Sequence, residues 1–199
     1  MRDFNQFSKE YLEKLSSCFN DKQISSMKIL AEDIVNLWNN EKTLFLCGNG
    51  GSGANALHIA NDLHFGLGHM LNDKKNGLKA DALVSNTALL TCLANDLGYE
   101  RIFSNQIDVK SSEKDLLVVL SGSGNSPNII KAIESAKKKG MKTFSILGFD
   151  GGKCRDMADV TIHFPVNDMQ IAEDTQVIVF NICIKWIVNK LNNNYLKNK

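Results

Sequence analysis

Short, unbroken apolar runs alternate along the chain with longer stretches in which apolar residues recur every three or four positions. The runs are Thr43–Cys47, Ala80–Ser85, Asp115–Leu120, Lys142–Leu147 and Val160–Val166. Runs of this length, bounded by Gly, Asn, Asp or Ser, are what strands buried on both faces of a parallel sheet look like. The intervening stretches read as helices. Residues 2–39 form two of them, broken near Asn20-Asp21, with Asp21 the candidate cap of the second. That second helix carries Ile24, Met27, Leu30, Ala31, Ile34, Leu37 and Trp38 at helical spacing, whereas the first has its own stripe of Phe4, Phe7, Tyr11, Leu12 and Leu15. A leading helix with a separate stripe packs either on another subunit or back on its own.

Later helices follow each strand. Ser52 is the candidate N-cap of a helix running to Leu63, with Ala54, Leu57 and Leu63 among its buried positions. Gly66 to Lys79, with Asn72–Gly77 at its centre, is polar and glycine-bearing and reads as a loop. Asn86 caps a helix through Leu89, Leu90 and Leu93 to Asn95-Asp96, and Gly98 ends it. Tyr99–Val109 is helical with Ile102, Phe103 and Ile107 on one side. Asn128–Lys139 is stopped by Gly140, Asp150–Asp156 holds a short helix, and Asp168 opens a last helix, Met169–Leu191, before a polar tail. Pro165 places the fifth strand at an edge. The alternation predicts one α/β domain over residues 1–199: a five-stranded parallel sheet, flavodoxin-like, with right-handed crossovers and helices on both faces, plus the N-terminal helices.

Composition narrows the partners more than the fold. A chain of 199 residues with 43% hydrophobic and 23% charged residues suits a single domain with a full core. The formal net charge of +1 gives no general basic field, which argues against nucleic acid or an anionic membrane as partner. Any phosphate must be held locally. No apolar run approaches the roughly 20 residues of a membrane span. Cys18, Cys47, Cys92, Cys154 and Cys183 are odd in number and lack CxxC spacing, so without a signal peptide they read as reduced thiols of a cytoplasmic protein. Cys47, at a strand end beside a loop, is a packing residue or a reactive one.

Two loops carry the candidate chemistry. Gly48-Asn49-Gly50-Gly51-Ser52-Gly53 lies between the first strand and its helix, and Ser121-Gly122-Ser123-Gly124-Asn125-Ser126 between the third strand and its helix. Glycines let the backbone approach a ligand closely, free amides at a helix N-terminus attract anions, and three serine hydroxyls can wrap a phosphate without a cation. The first loop lacks the Lys-Ser/Thr ending of a nucleotide P-loop, and no correctly spaced GxGxxG is present. In a doubly wound sheet both loops fall at the carboxyl ends of the strands, where such sheets bind ligands.

Gly48-Asn-Gly-Gly-Ser52, the Asn95-Asp96 pair, Ser121-x-Ser123-Gly-Asn-Ser126 and Asp150-Gly-Gly-Lys153, taken in order, resemble the sugar isomerase (SIS) domain over nearly the whole chain. More narrowly they are similar to the phosphoheptose isomerases, which interconvert sedoheptulose 7-phosphate and D-glycero-D-manno-heptose 7-phosphate. The resemblance implies phosphate binding by Ser121, Ser123 and Ser126. It also implies a sugar site lined by Asn49, Gly50, Gly51 and Ser52, with Asn95, Asp96 and Glu173 as further contacts. The family's base is a glutamate four residues after a histidine; His58 matches the histidine and Asp62 stands at the glutamate. Its acid is a histidine on the final helix, eight residues after a glutamine; here Asn181 and Glu173 occupy those positions, and Gly66 and Leu67 lie where the family has an arginine. Glu173 is then a candidate replacement base. The same resemblance implies a zinc site of His58, Asp62, Glu173 and Asn181, a homotetramer using the N-terminal helices, and a role in heptose supply for lipopolysaccharide or capsule. Two other readings share the motifs: an isomerase or binder of another sugar phosphate, and a non-catalytic regulator of replication initiation.

Overall fold

The computed structural model describes residues 3–72 and 75–197. Two helices, α1 (Phe4–Ser17) and α2 (Asp21–Asn39), lead into β1 (Thr43–Gly48) and α3 (Gly50–Asn61). A π-helical turn, Asp62–Gly66, carries α3 on into the short α4 (Leu67–His69). Then come β2 (Lys79–Ala82), α5 (Thr87–Leu97), a 3-10 turn at Tyr99–Arg101, and α6 (Ser104–Lys110). The second half is β3 (Leu116–Ser121), α7 (Pro127–Lys138), β4 (Lys142–Leu147), α8 (Cys154–Met157), β5 (Val160–His163) and α9 (Met169–Lys197). The sheet has the order β2-β1-β3-β4-β5, all neighbours parallel. That is the flavodoxin-like doubly wound order, as the alternation of strands and helices predicts.

Side chains alternate across each strand, and this divides the core into two layers. Leu44, Leu46, Val118, Leu120 and Ile146 face α2, α3 and α9, while Phe45, Cys47, Leu117, Val119 and Leu147 face α5, α6 and α7. Because both faces are covered, the strands read as continuous apolar runs rather than alternating ones.

Local chemistry moves several boundaries. The cap of α2 is Asn20, whose side chain accepts from the Lys22 N–H at 3.0 Å; Asp21 sits in the first turn, where its charge favours the helix dipole. The capping position of α3 is Asn49, not Ser52, which lies inside the helix and is buried. The buried stripe of α3 and its continuation is Ala56, Ile59, Ala60 and Leu63; Ala54 and Leu57 are exposed, against expectation. β5 ends at His163, although the Phe164 N–H still donates to the Leu147 carbonyl at 2.8 Å, and Pro165 turns its missing N–H to the open edge of the sheet. The polar tail from Asn192 continues α9 to Lys197, and Asn192 ties it to the chain after α4 by accepting from the Asn72 N–H at 3.0 Å. Asp73 and Lys74 of the expected 66–79 loop, and the last two residues of the tail, lie outside the described residues.

Helix α1 buries no residue fully. Tyr11 and Leu15 pack on the core, and the Tyr11 hydroxyl donates to Asp174 at 2.6 Å while Lys14 pairs with Asp168 at 2.8 Å. The hydrogen bond to Asp174 is the main reason the Tyr11 phenol is pushed up to about 12, so it remains a neutral donor well above neutral pH. Phe4, Phe7 and Leu12 of the same helix stay exposed.

All five cysteines are free thiols, and Cys47 is completely buried, with its thiol pushed far above the usual range by burial. Packing, not reactivity, is its role. A thiol-specific reagent applied to the native protein is expected to modify the exposed Cys92 and to leave Cys47 untouched until the protein is unfolded. Peptide mapping that found Cys47 labelled as fast as Cys92 would contradict this arrangement.

Candidate sugar-phosphate site

Both glycine-serine loops emerge at the carboxyl edge of the sheet, from the neighbouring strands β1 and β3. Gly50, at φ +54°, turns the chain from Asn49 into α3. Gly51 lies directly beneath the Glu173 carboxylate of α9, the movable end of that side chain standing where a Cβ would go. The neighbouring contacts fix this approach. Buried Gln176 donates to the Ser52 hydroxyl at 3.0 Å and accepts from Asn55 at 2.9 Å, and Asn55 also donates to the Glu173 carbonyl at 3.0 Å. Ser52 is thus a buried anchor between α3 and α9, which corrects its expected capping role.

The second loop is shaped partly by its own hydroxyls. Ser121 accepts from the Gly124 N–H at 3.0 Å and Ser123 from the Asn125 N–H at 3.3 Å. Ser126 occupies the N-cap of α7 but makes no side-chain capping bond, so its hydroxyl is available to a ligand. The Asp150-Gly-Gly-Lys153 segment, which the sequence marks without giving it a task, supports this loop from below. The Cys154 N–H donates to the Gly124 carbonyl at 3.0 Å and the Lys153 N–H to the Asn125 side chain at 3.1 Å. Gly152, at φ +50°, packs its Cα against the Ser123 carbonyl.

A pair of amides joins the two loops. Asn49 donates to Asn128 at 2.9 Å and accepts from it at 2.8 Å, and the Tyr99 hydroxyl donates to the Asn49 oxygen at 3.0 Å. Beside them an open cavity of about 470 Å³ is lined by Asn49, Gly50, Ala54, Leu57, Val84 and Tyr99 among others. Sequence reasoning singled out Asn49 but passed over Asn128, Tyr99, Asn55 and Gln176. The one local signal was an asparagine two residues after Ser126, inside a helix's first turn.

The remaining candidates lie elsewhere. His58 and Asp62 face each other at 3.5 Å on α3, with Asp62 opening the π-helical turn, a distortion often found at functional sites. Asp62 is ten residues beyond Ser52, or about 15 Å by helical rise. Asn181 is exposed on α9, eight residues or about 12 Å past Glu173. Asn95 donates to Asp96 at 2.7 Å on the exposed last turns of α5, where Cys92 also meets Asp96. Of the implied zinc ligands His58, Asp62, Glu173 and Asn181, the last two stand two turns apart on α9, and the Glu173 carboxylate lies at Gly51, about three turns of α3 from Asp62. Among the described residues no group of three or more His, Cys, Asp or Glu side chains is placed to hold a metal. Nor do Asp62 and Glu173 form a carboxylate pair; the partner of Asp62 is His58.

A parallel sheet of this order, with a serine loop and a glycine loop joined at its carboxyl edge, is the architecture of a doubly wound ligand-binding domain. The chain belongs to the SIS domain family, whose model matches residues 6–148. Within it, phosphoheptose isomerases are among the relatives it matches. That of Helicobacter pylori strain P12 is 36% identical over 174 residues, 87% of this chain and 86% of the relative. That of Nitratiruptor sp. is 38% identical over 148 residues, 74% of this chain and 77% of the relative. The solved phosphoheptose isomerase from Francisella tularensis superposes with a TM-score of 0.84 at 26% identity, covering 93% of this chain and 96% of that one.

The two glycine contacts predict opposite outcomes. Gly152→Ala sets a side chain at positive φ against backbone and is expected to cost about 1–3 kcal/mol, with a lowered melting temperature and weakened sugar-phosphate binding. Gly51→Ala meets only the mobile end of Glu173 and is expected to leave the melting temperature nearly unchanged while displacing that carboxylate. Calorimetric melting that ranked the two the other way would refute the buttress role of the 150–153 segment.

Proposed function

We propose that the protein is an aldose–ketose isomerase that interconverts sedoheptulose 7-phosphate and D-glycero-D-manno-heptose 7-phosphate. The observation that carries this reading is the junction of a serine loop and a glycine loop on one sheet edge, in a chain whose relatives include phosphoheptose isomerases. Ser121, Ser123, Ser126 and the amides of the second loop hold the phosphate. Asn49 and the backbone of Gly50 and Gly51 line the sugar, and Glu173 presents a carboxylate at the same loop.

The reaction moves a proton between the first two carbons through an enediol, and a second proton between their oxygens. Asp62 is the base for the carbon proton, with His58 orienting its carboxylate. Glu173 serves the oxygens. The Asn181 amide does not exchange a proton near neutral pH, and its role is to hydrogen-bond a sugar hydroxyl. Asp62 follows the far end of α3 from the loops, and Asn181 lies midway along α9. The base that acts on a sugar held by one chain's loops is therefore contributed by a second copy, in keeping with the exposed Ala54 and Leu57 beside the loop cavity. In the assembly, a homotetramer in which α1 offers its exposed Phe4, Phe7 and Leu12, each site is completed between subunits. The setting we assign is cytoplasmic, supplying heptose for surface polysaccharide; among the described residues no helix is long and apolar enough to cross a membrane.

Two variants separate binding from chemistry. Each lost hydrogen bond to the phosphate charge costs about 1.5–3 kcal/mol, so Ser123→Ala/Ser126→Ala should weaken sedoheptulose 7-phosphate binding at least tenfold. Asp62→Asn should keep that binding and lose turnover by about 10²–10⁴-fold. Full turnover by Asp62→Asn would remove it as base, and unchanged affinity in the serine variant would remove the phosphate assignment.

A further inference from the structure

The hydrogen bonds around Asn49 determine which way its amide faces, and that decides what it can offer a ligand. The chain of logic begins at the backbone of α7. The Ile129 N–H can only donate, and it is shared between the Ser126 carbonyl and the Asn128 side-chain oxygen, each at 3.0 Å. Turning the Asn128 amide over would set an NH₂ group against that N–H, donor against donor, in a side chain that is 1% exposed. Asn128 is therefore fixed with its oxygen toward Ile129. Its oxygen then accepts from Asn49 Nδ2 at 2.9 Å and its Nδ2 donates to Asn49 Oδ1 at 2.8 Å. Tyr99 adds a second donor to Asn49 Oδ1 at 3.0 Å.

An amide oxygen has two lone pairs and an amide nitrogen two protons. Both lone pairs of Asn49 are taken, by Asn128 and Tyr99, and one of its protons is taken by Asn128. A single N–H remains. We propose that Asn128 is a positioning residue that fixes the polarity of Asn49, so that Asn49 offers the sugar phosphate one N–H donor and no acceptor, and Tyr99 completes the lock from the other side. The inference rests on the reading that Asn49 contacts the substrate. Its consequence is selectivity for a ligand oxygen in acceptor mode at that point, and a rigid link between the sugar loop and the first turn after the phosphate loop. Leaving a buried donor unmatched is costly, so an orientation fixed this way is not easily reversed by the ligand.

The test uses the full chain and two probes, sedoheptulose 7-phosphate and inorganic phosphate, with affinities measured by titration calorimetry. Asn128→Asp keeps the shape and still accepts from Ile129 and Asn49 but cannot donate to Asn49 Oδ1. The added charge is expected to weaken both probes, and the lost hydrogen bond to weaken the sugar phosphate a further tenfold or more than inorganic phosphate. Tyr99→Phe removes only an exposed hydroxyl, cannot unfold the protein, and is expected to weaken the sugar phosphate about three- to tenfold with phosphate unaffected. Equal losses for both probes in Asn128→Asp would leave nothing for the lost hydrogen bond to explain, and would overturn a polarity role. Unchanged sugar-phosphate affinity in both variants would overturn it as well. Should the unaltered protein fail to bind the sugar phosphate, the functional reading falls, and the polarity claim is decided by the Asn49 side-chain amide resonances. They are expected to shift in Asn128→Asp and in Tyr99→Phe, and resonances unmoved in both would overturn it.

Discussion

The site depends on a backbone approach closer than a side chain would permit. At the carboxyl edge of the sheet, Gly152 lies under the Ser123 carbonyl without room for a Cβ, while Gly51 faces the movable end of the Glu173 side chain. The Asn49–Asn128 amide pair joins the two loops from adjacent strands. Parallel strands supply the reason such loops meet. Every strand of the sheet ends at the same edge, and β1 and β3 are neighbours in the order 2-1-3-4-5. These loops offer hydroxyls and amides rather than a basic field, in a chain whose net charge is only +1.

The fold was legible wherever the signal was local or periodic. Buried parallel strands appear as apolar runs, and β4 is found at Lys142–Leu147 as its run predicts. Gly98 and Gly140 stop their helices at positive φ, and Asn86 caps α5 by accepting from the Leu89 N–H at 3.0 Å. Caps that depend on one residue's choice were less secure: Asn20 and Asn49, not Asp21 and Ser52, occupy the two capping positions. Ser52 has good capping chemistry, but Gln176, 124 residues away, claims its hydroxyl. Asn128 and Tyr99 escaped notice for the same reason, since their meaning lies in partners 79 and 50 residues distant. Periodicity also failed on α3, where Leu57 fits an apolar stripe by spacing yet stays 44% exposed beside the loop cavity.

Spacing along a helix is equally a limit on what one chain can do. His58 and Asp62 lie on one face, and so do Glu173 and Asn181, which makes a four-ligand or two-carboxylate centre attractive on paper. Face is not position: helical rise puts about 12 Å between Glu173 and Asn181, and about 15 Å between Ser52 and Asp62. The glycine loop and the Glu173 carboxylate thus lie at the first turns of α3 and α9, while Asp62 follows the far end of α3. The mechanism proposed above therefore draws on two copies of the chain, and the exposed residues of α1 and of the first turns of α3 are the surfaces it would use.

Subunit mixing tests this directly. Asp62→Asn carries an intact phosphate loop, and Ser123→Ala/Ser126→Ala carries an intact base; each alone should be close to inactive on sedoheptulose 7-phosphate. Co-refolded in equal amounts, they are expected to recover activity on the order of a quarter of the unaltered protein, because randomly assembled neighbours then create sites with a sound loop from one copy and a sound base from the other. A mixed assembly, verified as mixed by native mass spectrometry, that stayed as inactive as its parents would show that each site is built within one chain.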